Sequence, residues 1–285
     1  MRPDKYGLRM NIKAKAGAFT FLVQLGAMAL WSEACLSANT SPQRDSGKLF
    51  VLPVEMDFDS GAANGNAIIT RLIPLNSIPL KNSWQLVNVA MLTIADAPGG
   101  VPGSPGNPDP VAGPNVFGLG DFIDAPLFTR INPNGLAWGF GPIVSMPIAS
   151  DDTLGSGKWS AGPAMRLAYN SGPWHFGLLA GNLSSFAGDE NRADVNQLLV
   201  RGLIRRKLNK DWFLKYSPII TANWNVESDQ RWLVPLGGGV GREFDLFSKP
   251  ASLSFEAYSN VVKPDGAPDS VFRIALTLPI PRALR

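Results

Sequence analysis

Histidine and cysteine are almost missing: the 285 residues hold one of each, His175 and Cys35. A single histidine excludes sites built on paired imidazoles, and a single cysteine excludes a disulfide framework or a thiolate cluster. Charged side chains are also scarce, at 17% against the roughly 25% usual in soluble proteins, so a surface wetted all round is not expected. Past residue 38 no apolar run approaches the roughly 20 residues a membrane helix needs. The apolar content, 45%, is too high for a disordered chain.

What basic excess there is, +3 formally, sits at the start. Arg2, Lys5, Arg9, Lys13 and Lys15 precede an apolar stretch from Ala16 to Trp31, and the small residues Ser32, Ala34, Ser37 and Ala38 follow. That order is a secretory signal peptide, with cleavage near Ala34 or Ala38. Ser32-Glu33-Ala34 before Cys35 is a poor lipidation signal. The reading divides the chain into a leader, 1–38, and one mature domain, 39–285. The leader takes five basic and two acidic residues with it, leaving 21 of each and no cysteine. A neutral mature chain has no electrostatic claim on nucleic acid.

The mature chain alternates with period two, the signature of strands. Phe272, Ile274, Leu276, Leu278 and Ile280 oppose Arg273, Ala275 and Thr277. Leu253, Phe255 and Ala257 oppose Ser252, Ser254 and Glu256, and Trp212 to Trp224 alternates in the same way with Phe213 and Ile219 as exceptions. Twelve strands are predicted: 48–58, 67–75, 84–94, 116–129, 136–148, 158–169, 173–182, 195–205, 212–224, 231–245, 250–261 and 269–280. In 67–75, 84–94 and 116–129 both faces are mixed. Most of these strands exceed the common globular length of about 5–6 residues and suit the roughly 9–11 that cross a bilayer at a tilt.

Such strands fit a soluble sandwich or a membrane barrel, and three features favour the barrel. The seven tryptophans after the leader (Trp84, Trp138, Trp159, Trp174, Trp212, Trp224 and Trp232) fall near strand ends, where an indole meets lipid with its body and water with its N–H. Connections alternate in length: 170–172, 206–211 and 246–249 on one side against 95–115, 149–157 and 183–194 on the other, with 76–83 the exception. The polar faces mix charges with glycines, which a watered lumen accepts and a dry core does not. The Pro/Gly-rich segment 96–114 reads as an outer loop.

Other motifs fail their own tests. Gly155-Ser156-Gly157-Lys158 lacks the first glycine of a phosphate-binding loop and is followed by Trp159, and Gly237-Gly238-Gly239-Val240-Gly241 lacks the last glycine of a dinucleotide turn. Strand glycines more often allow close backbone approach. Asp151-Asp152 and Asp189–Asp194 lack the spacing of a calcium loop. No cofactor or metal is expected.

Several segments resemble a known family. Leu154-Gly-Ser-Gly-Lys-Trp-Ser-Ala-Gly-Pro163, Asp194-Val-Asn-Gln197, Ser217–Trp224, Trp232–Gly241 and Asn260–Gly266 are similar to the bacterial outer-membrane proteins labelled "meta-pathway of phenol degradation", some of which carry the label neuromedin U. The likeness is strong over 140–280 and thinner over 48–130, where Gly118-Leu119-Gly120-Asp121 is the best anchor. The resemblance implies an outer-membrane barrel that passes small, aromatic molecules, and no catalytic residues.

The expectation is therefore an all-β protein: one antiparallel transmembrane barrel of about twelve strands, with ten or fourteen as alternatives. It sits in the outer membrane of a Gram-negative bacterium, with outer-membrane lipids, the assembly machinery and small solutes as partners. Its expected function is passive diffusion of small aromatic or hydrophobic molecules, without enzymatic activity. Arg166, Arg201, Arg205, Lys215, Glu256 and Arg273 are the candidate lining of a charged constriction. Three rivals stand beside it: a plugged barrel with a binding or structural role, a lipid-modifying enzyme using His175, and a soluble secreted sandwich.

Overall fold

The computed structural model describes residues 51–98, 114–246 and 248–279, so the predicted leader and most of the loop 96–114 lie outside the described residues. Fourteen strand segments follow in order: β1 (Val51–Ser60), β2 (Ala67–Leu72), β3 (Leu75–Pro79), β4 (Trp84–Pro98), β5 (Asn115–Ile131), β6 (Leu136–Met146), β7 (Lys158–Ser171), β8 (Trp174–Gly188), β9 (Asn196–Lys207), β10 (Trp212–Tyr216), β11 (Ile219–Asn223), β12 (Trp232–Leu246), β13 (Lys249–Val262) and β14 (Ser270–Pro279). Each pairs antiparallel with its neighbours, and β1 returns to β14 over ten residue pairs, from Val51↔Pro279 to Ser60↔Ser270. The sheet therefore has no free edge, which excludes the sandwich.

Fourteen segments make twelve staves, because two staves are broken at prolines. β2 and β3 both pair with β4 and are separated by Ile73-Pro74. β10 and β11 both pair with β9 and are separated by Ser217-Pro218. The expected unbroken strand 212–224 is thus two segments. Pro218 has no N–H to give the ladder, and the Ser217 amide is diverted to the hydroxyl of Tyr258, 2.8 Å away. β3 also settles the exceptional connection 76–83: the strand runs to Pro79 and only 80–83 remain as a turn.

With that correction every connection at one end is short (80–83, 132–135, 172–173, 208–211 and 247–248), while 61–66, 99–114, 147–157, 189–195, 224–231 and 263–269 join strands at the other. In outer-membrane barrels short turns face the periplasm. The ladder between β5 and β6 is interrupted between Asp124↔Val144 and Phe128↔Phe140, beside Pro126 and Pro142.

The outer surface is apolar. Met56, Phe128, Phe140, Met165, Phe255 and Phe272 are all exposed, and all lie on outward faces. Water-soluble monomers do not carry apolar surface of that extent, whereas hydrocarbon accepts it. The tryptophans form two belts. Trp84, Trp138, Trp174 and Trp212 stand at the short-turn end, and Trp159, Trp224 and Trp232 at the long-loop end. Trp84 and Trp138 meet edge to face at 5.7 Å, as do Trp224 and Trp232.

Candidate functional site

The interior has two unlike walls. From β1 back through β14, β13 and β10 to β9, the inward positions are charged. Glu55, Asp57, Arg205, Lys215, Glu256 and Arg273 are all buried there. From β3 to β8 the inward positions are mainly aliphatic, with the buried Arg166 of β7 among them: Ile73, Leu75, Val89, Ile123, Ile143 and Leu183 pack in one cluster. The expectation of a hydrophilic lumen holds for half the circumference only. The other half is mainly aliphatic toward the cavity.

The residues expected in the charged lining sit on inward faces, where Arg201, Arg205, Lys215, Glu256 and Arg273 enter ion pairs and do not form an open ring. Arg273 donates from Nε to Asp57 Oδ1 at 2.6 Å and from Nη2 to Oδ2 at 2.8 Å, the two-pronged geometry that favours arginine over lysine. Its Nη1 donates to the Ser217 carbonyl at 2.7 Å, across two intervening strands. Lys215 meets Glu256 at 3.1 Å. Glu256 also accepts from Ser217 Oγ at 2.6 Å and from the Tyr258 hydroxyl. Arg205 pairs with Glu243 and lies over the Phe213 ring at 3.7 Å. Arg166 is held in the β7 wall opposite Gly139 of β6 and Leu179 of β8.

The acidic halves of these pairs, Glu55, Asp57 and Glu243, were not among the candidate residues. They pair with Arg201, Arg273 and Arg205, respectively, and neutralise them in part or in full. A buried charge needs a partner, because desolvating an unpaired carboxylate costs far more than the fold can supply.

Arg201 and Glu55 fix the width of the lumen. β9 and β1 lie five staves apart by the shorter way round a ring of twelve, close to opposite. Their side chains nevertheless form a direct ion pair. The pair is a strut across the bore. On the charged side the glycines of β12 let the network close. Gly239 pairs with Glu256 and Gly241 with Ser254 on the inner face. A side chain at Gly241 would enter the ring of Phe213, so β10 reaches β13 over an empty strand.

The long-loop mouth is covered by 147–157. Leu154 is buried against Ala67, Ile69, Ala95 and Ala97, all on the inner faces of β2 and β4. Asp121 Oδ2 accepts from the Ser156 amide at 2.7 Å and from the Ser156 hydroxyl at 2.6 Å. Leu119 and Ser150 bond twice, through the Leu119 amide to Ser150 Oγ and the Ser150 amide to the Leu119 carbonyl, both at 2.9 Å. Arg192 reaches the Gly155 carbonyl. At the loop's start the Thr153 amide and hydroxyl hold the Asp151 carboxyl below its ordinary pKa.

Glycines make this packing possible. A Cβ on Gly118 would lie 3.0 Å from Leu154 Cδ1, and one on Gly155 would strike Ala149 and Asp121. Gly157 turns the chain at φ +67°, a conformation L side chains avoid. The segment that mimics a phosphate loop is therefore a mouth plug. It docks on Gly118-Leu119-Gly120-Asp121, and nothing in either segment's alternation pointed to the other.

A string of cavities follows the apolar wall. One lies under Leu154 and Gly155 and shares Met91, Ile123, Leu199 and Ile219 with the next. That one shares Ile73, Val89, Leu179 and Arg201 with a third, reached on the short-turn side. The third has about 760 Å³ of empty space, part of it open to solvent. His175 lies on the inner face opposite Arg205, its Nδ1 2.8 Å from Asn170 Oδ1. It is on the cavity side of the wall and away from lipid.

Twelve staves closed on themselves, an apolar belt between two tryptophan belts, and charges turned inward define an outer-membrane β-barrel of the Gram-negative type. Solved structures share this architecture. The COG4313 outer membrane channel from Pseudomonas putida F1 aligns with a TM-score of 0.57 at 14% identity, over 84% of this chain and 97% of that one. The NanC porin aligns with a TM-score of 0.50 at 14% identity, over 80% and 100%. At such identities the likeness is one of fold. No family model and no curated protein matches the sequence.

Proposed function

We propose that the protein is a narrow outer-membrane channel for passive diffusion of small aromatic or hydrophobic solutes. One observation carries this reading: the linked cavities run from the mouth plug to the short-turn half along an aliphatic wall, a path that suits apolar solutes better than sugars. The resemblance to the phenol-degradation family, and the two channels that share the fold, support it. Residues 1–38 would deliver the chain for export, the assembly machinery would insert it, and the tryptophan belts would seat it in lipid. The channel reading gives the protein no catalytic residue.

A liposome-swelling series over sugars, amino acids and phenols tests the proposal, with wild type compared against Arg166→Ala and Arg273→Ala. Phenols should enter faster than sugars of similar mass, above the protein-free rate. Rates equal to protein-free liposomes for every solute would overturn it.

A second reading has its own observation. The Arg201–Glu55 strut and the seated Leu154 both obstruct the bore, as in a plugged barrel with a binding or structural role. Single-channel recording separates the two, since a permanent plug gives no conductance steps.

A further inference from the structure

The cavity in the short-turn half is not uniformly apolar. Three cationic side chains border it (Arg166, Arg201 and Lys215) against one carboxylate, Glu55. Glu55 engages Arg201, and Glu256 holds Lys215 from behind. Opposite them stand Ile73, Leu75 and Val89. Arg201 Nη2 is engaged by Glu55, but its Nη1 is enclosed with no hydrogen-bond acceptor among the described residues. Ser217 and Thr277 place hydroxyls on the same polar side.

A neutral hydrocarbon would meet only the aliphatic side, and a sugar only the polar one. A molecule with one negative head and one apolar body answers both. Low-dielectric walls strengthen the attraction, since the field of the cations is not screened by bulk water. The adjoining cavity, lined by Ile123, Ile143, Leu179 and Leu199, lies on the far side of Arg201 and offers room for an apolar body.

We propose that the Arg166–Arg201–Lys215 side of this cavity is a binding station for small monoanionic amphiphiles, namely carboxylates on an aromatic or aliphatic body. The carboxylate lies against the three cations and the body against Ile73, Leu75 and Val89. The inference rests on the channel reading for its biological sense, but the site is testable without transport.

The test uses the barrel in nanodiscs of zwitterionic phosphatidylcholine. Equilibrium dialysis measures radiolabelled benzoate and radiolabelled benzyl alcohol, with empty nanodiscs as the blank. Wild type should hold benzoate at least tenfold tighter than benzyl alcohol. Arg166→Gln should bring benzoate down at least fivefold and leave benzyl alcohol unchanged. Arg206→Gln, which removes the same charge from the outer rim beside Trp174, should change neither. Folding of each variant is read from the heat-dependent shift of barrels in gel electrophoresis. Should Arg166→Gln fail to fold, displacement from wild type decides: hexanoate should compete with benzoate and hexanol should not. Equal affinity for benzoate and benzyl alcohol, or displacement by hexanol as effective as by hexanoate, would overturn the station. Flux separates the two proposals. Phenol entry without benzoate preference keeps the channel and removes the station, whereas tight benzoate binding with no solute entry does the reverse.

Discussion

Asp121 and Ser156 meet where two distant glycine-rich segments come together: one carboxylate oxygen accepts both the amide, at 2.7 Å, and the hydroxyl, at 2.6 Å, of a single serine. Hydrogen bonds to a charged acceptor contribute about 1.5–3 kcal/mol each. The pair therefore accounts for much of what keeps 147–157 seated over Ala95 and Ala97. Asp121→Ala should raise the rate of solute entry in liposome swelling severalfold. Ser156→Ala should raise it less, because the amide bond survives. Unchanged rates in both variants would show that the loop does not limit passage.

The Arg201–Glu55 strut gives a second prediction. Glu55→Gln strands the guanidinium in the lumen, and breaking a buried pair by removing one partner costs about 3–5 kcal/mol. The double variant Glu55→Gln/Arg201→Gln removes both charges and should recover most of that loss. A double-mutant cycle in denaturant, with the barrel in lipid, reads the coupling directly. The double variant should also conduct more than wild type in planar bilayers, because the chord across the bore is gone. Additive single effects and an unchanged conductance would count against a strut.

Gly241 and Phe213 make a steric prediction. A methyl group at 241 would overlap the Phe213 ring, which is itself fully buried. Gly241→Ala should destabilise the barrel by about 1–3 kcal/mol, the usual cost of overpacking. Phe213→Leu in the same chain should relieve part of it. A melt of the two variants beside wild type in detergent checks the order: double variant above Gly241→Ala, and both below wild type.

Much of the architecture was legible because one side of the barrel obeys a simple alternation. In β13 and β14, residues such as Phe255 and Leu276 face hydrocarbon while Glu256 and Thr277 face the lumen, so period two named both the strands and their faces. β2, β4 and β5 read as mixed for a physical reason. Their inward residues, among them Ile69, Val89 and Ile123, are as apolar as their outward ones. A strand greasy on both faces has no contrast to read.

The same limit hid parts of the site. Arg201 and Arg273 were legible as inward charges, but their pairing with Glu55 and Asp57 depends on closure of the ring, which no local pattern encodes. Leu154 looked like loop and Gly155–Lys158 like a failed nucleotide motif. Only the fold brings Gly118–Asp121 beneath them. The break at Ser217-Pro218 was foreshadowed by the proline alone, while the Tyr258 hydroxyl that receives the diverted amide lies 41 residues on.

The last prediction concerns the wall itself. Leu276 and Thr277 are consecutive on β14, and Thr277 is buried on the inner face opposite Pro53 of β1. Nitroxide labels at Leu276→Cys and Thr277→Cys should therefore report opposite surroundings in reconstituted barrels. The 276 label should be broadened by oxygen, which concentrates in hydrocarbon, and the 277 label should not. Arginine should show the same asymmetry in energy. Leu276→Arg places a charge on the lipid face, at a cost of about 2–4 kcal/mol near mid-bilayer. That loss should appear as a lower temperature for the gel-mobility shift of the folded barrel. Arg273, three residues earlier on the same strand, is tolerated only because Asp57 and the Ser217 carbonyl receive its guanidinium on the other side of the wall. A Leu276→Arg barrel as heat-stable as wild type, with both labels equally open to oxygen, would mean that the outer face of β14 does not meet lipid.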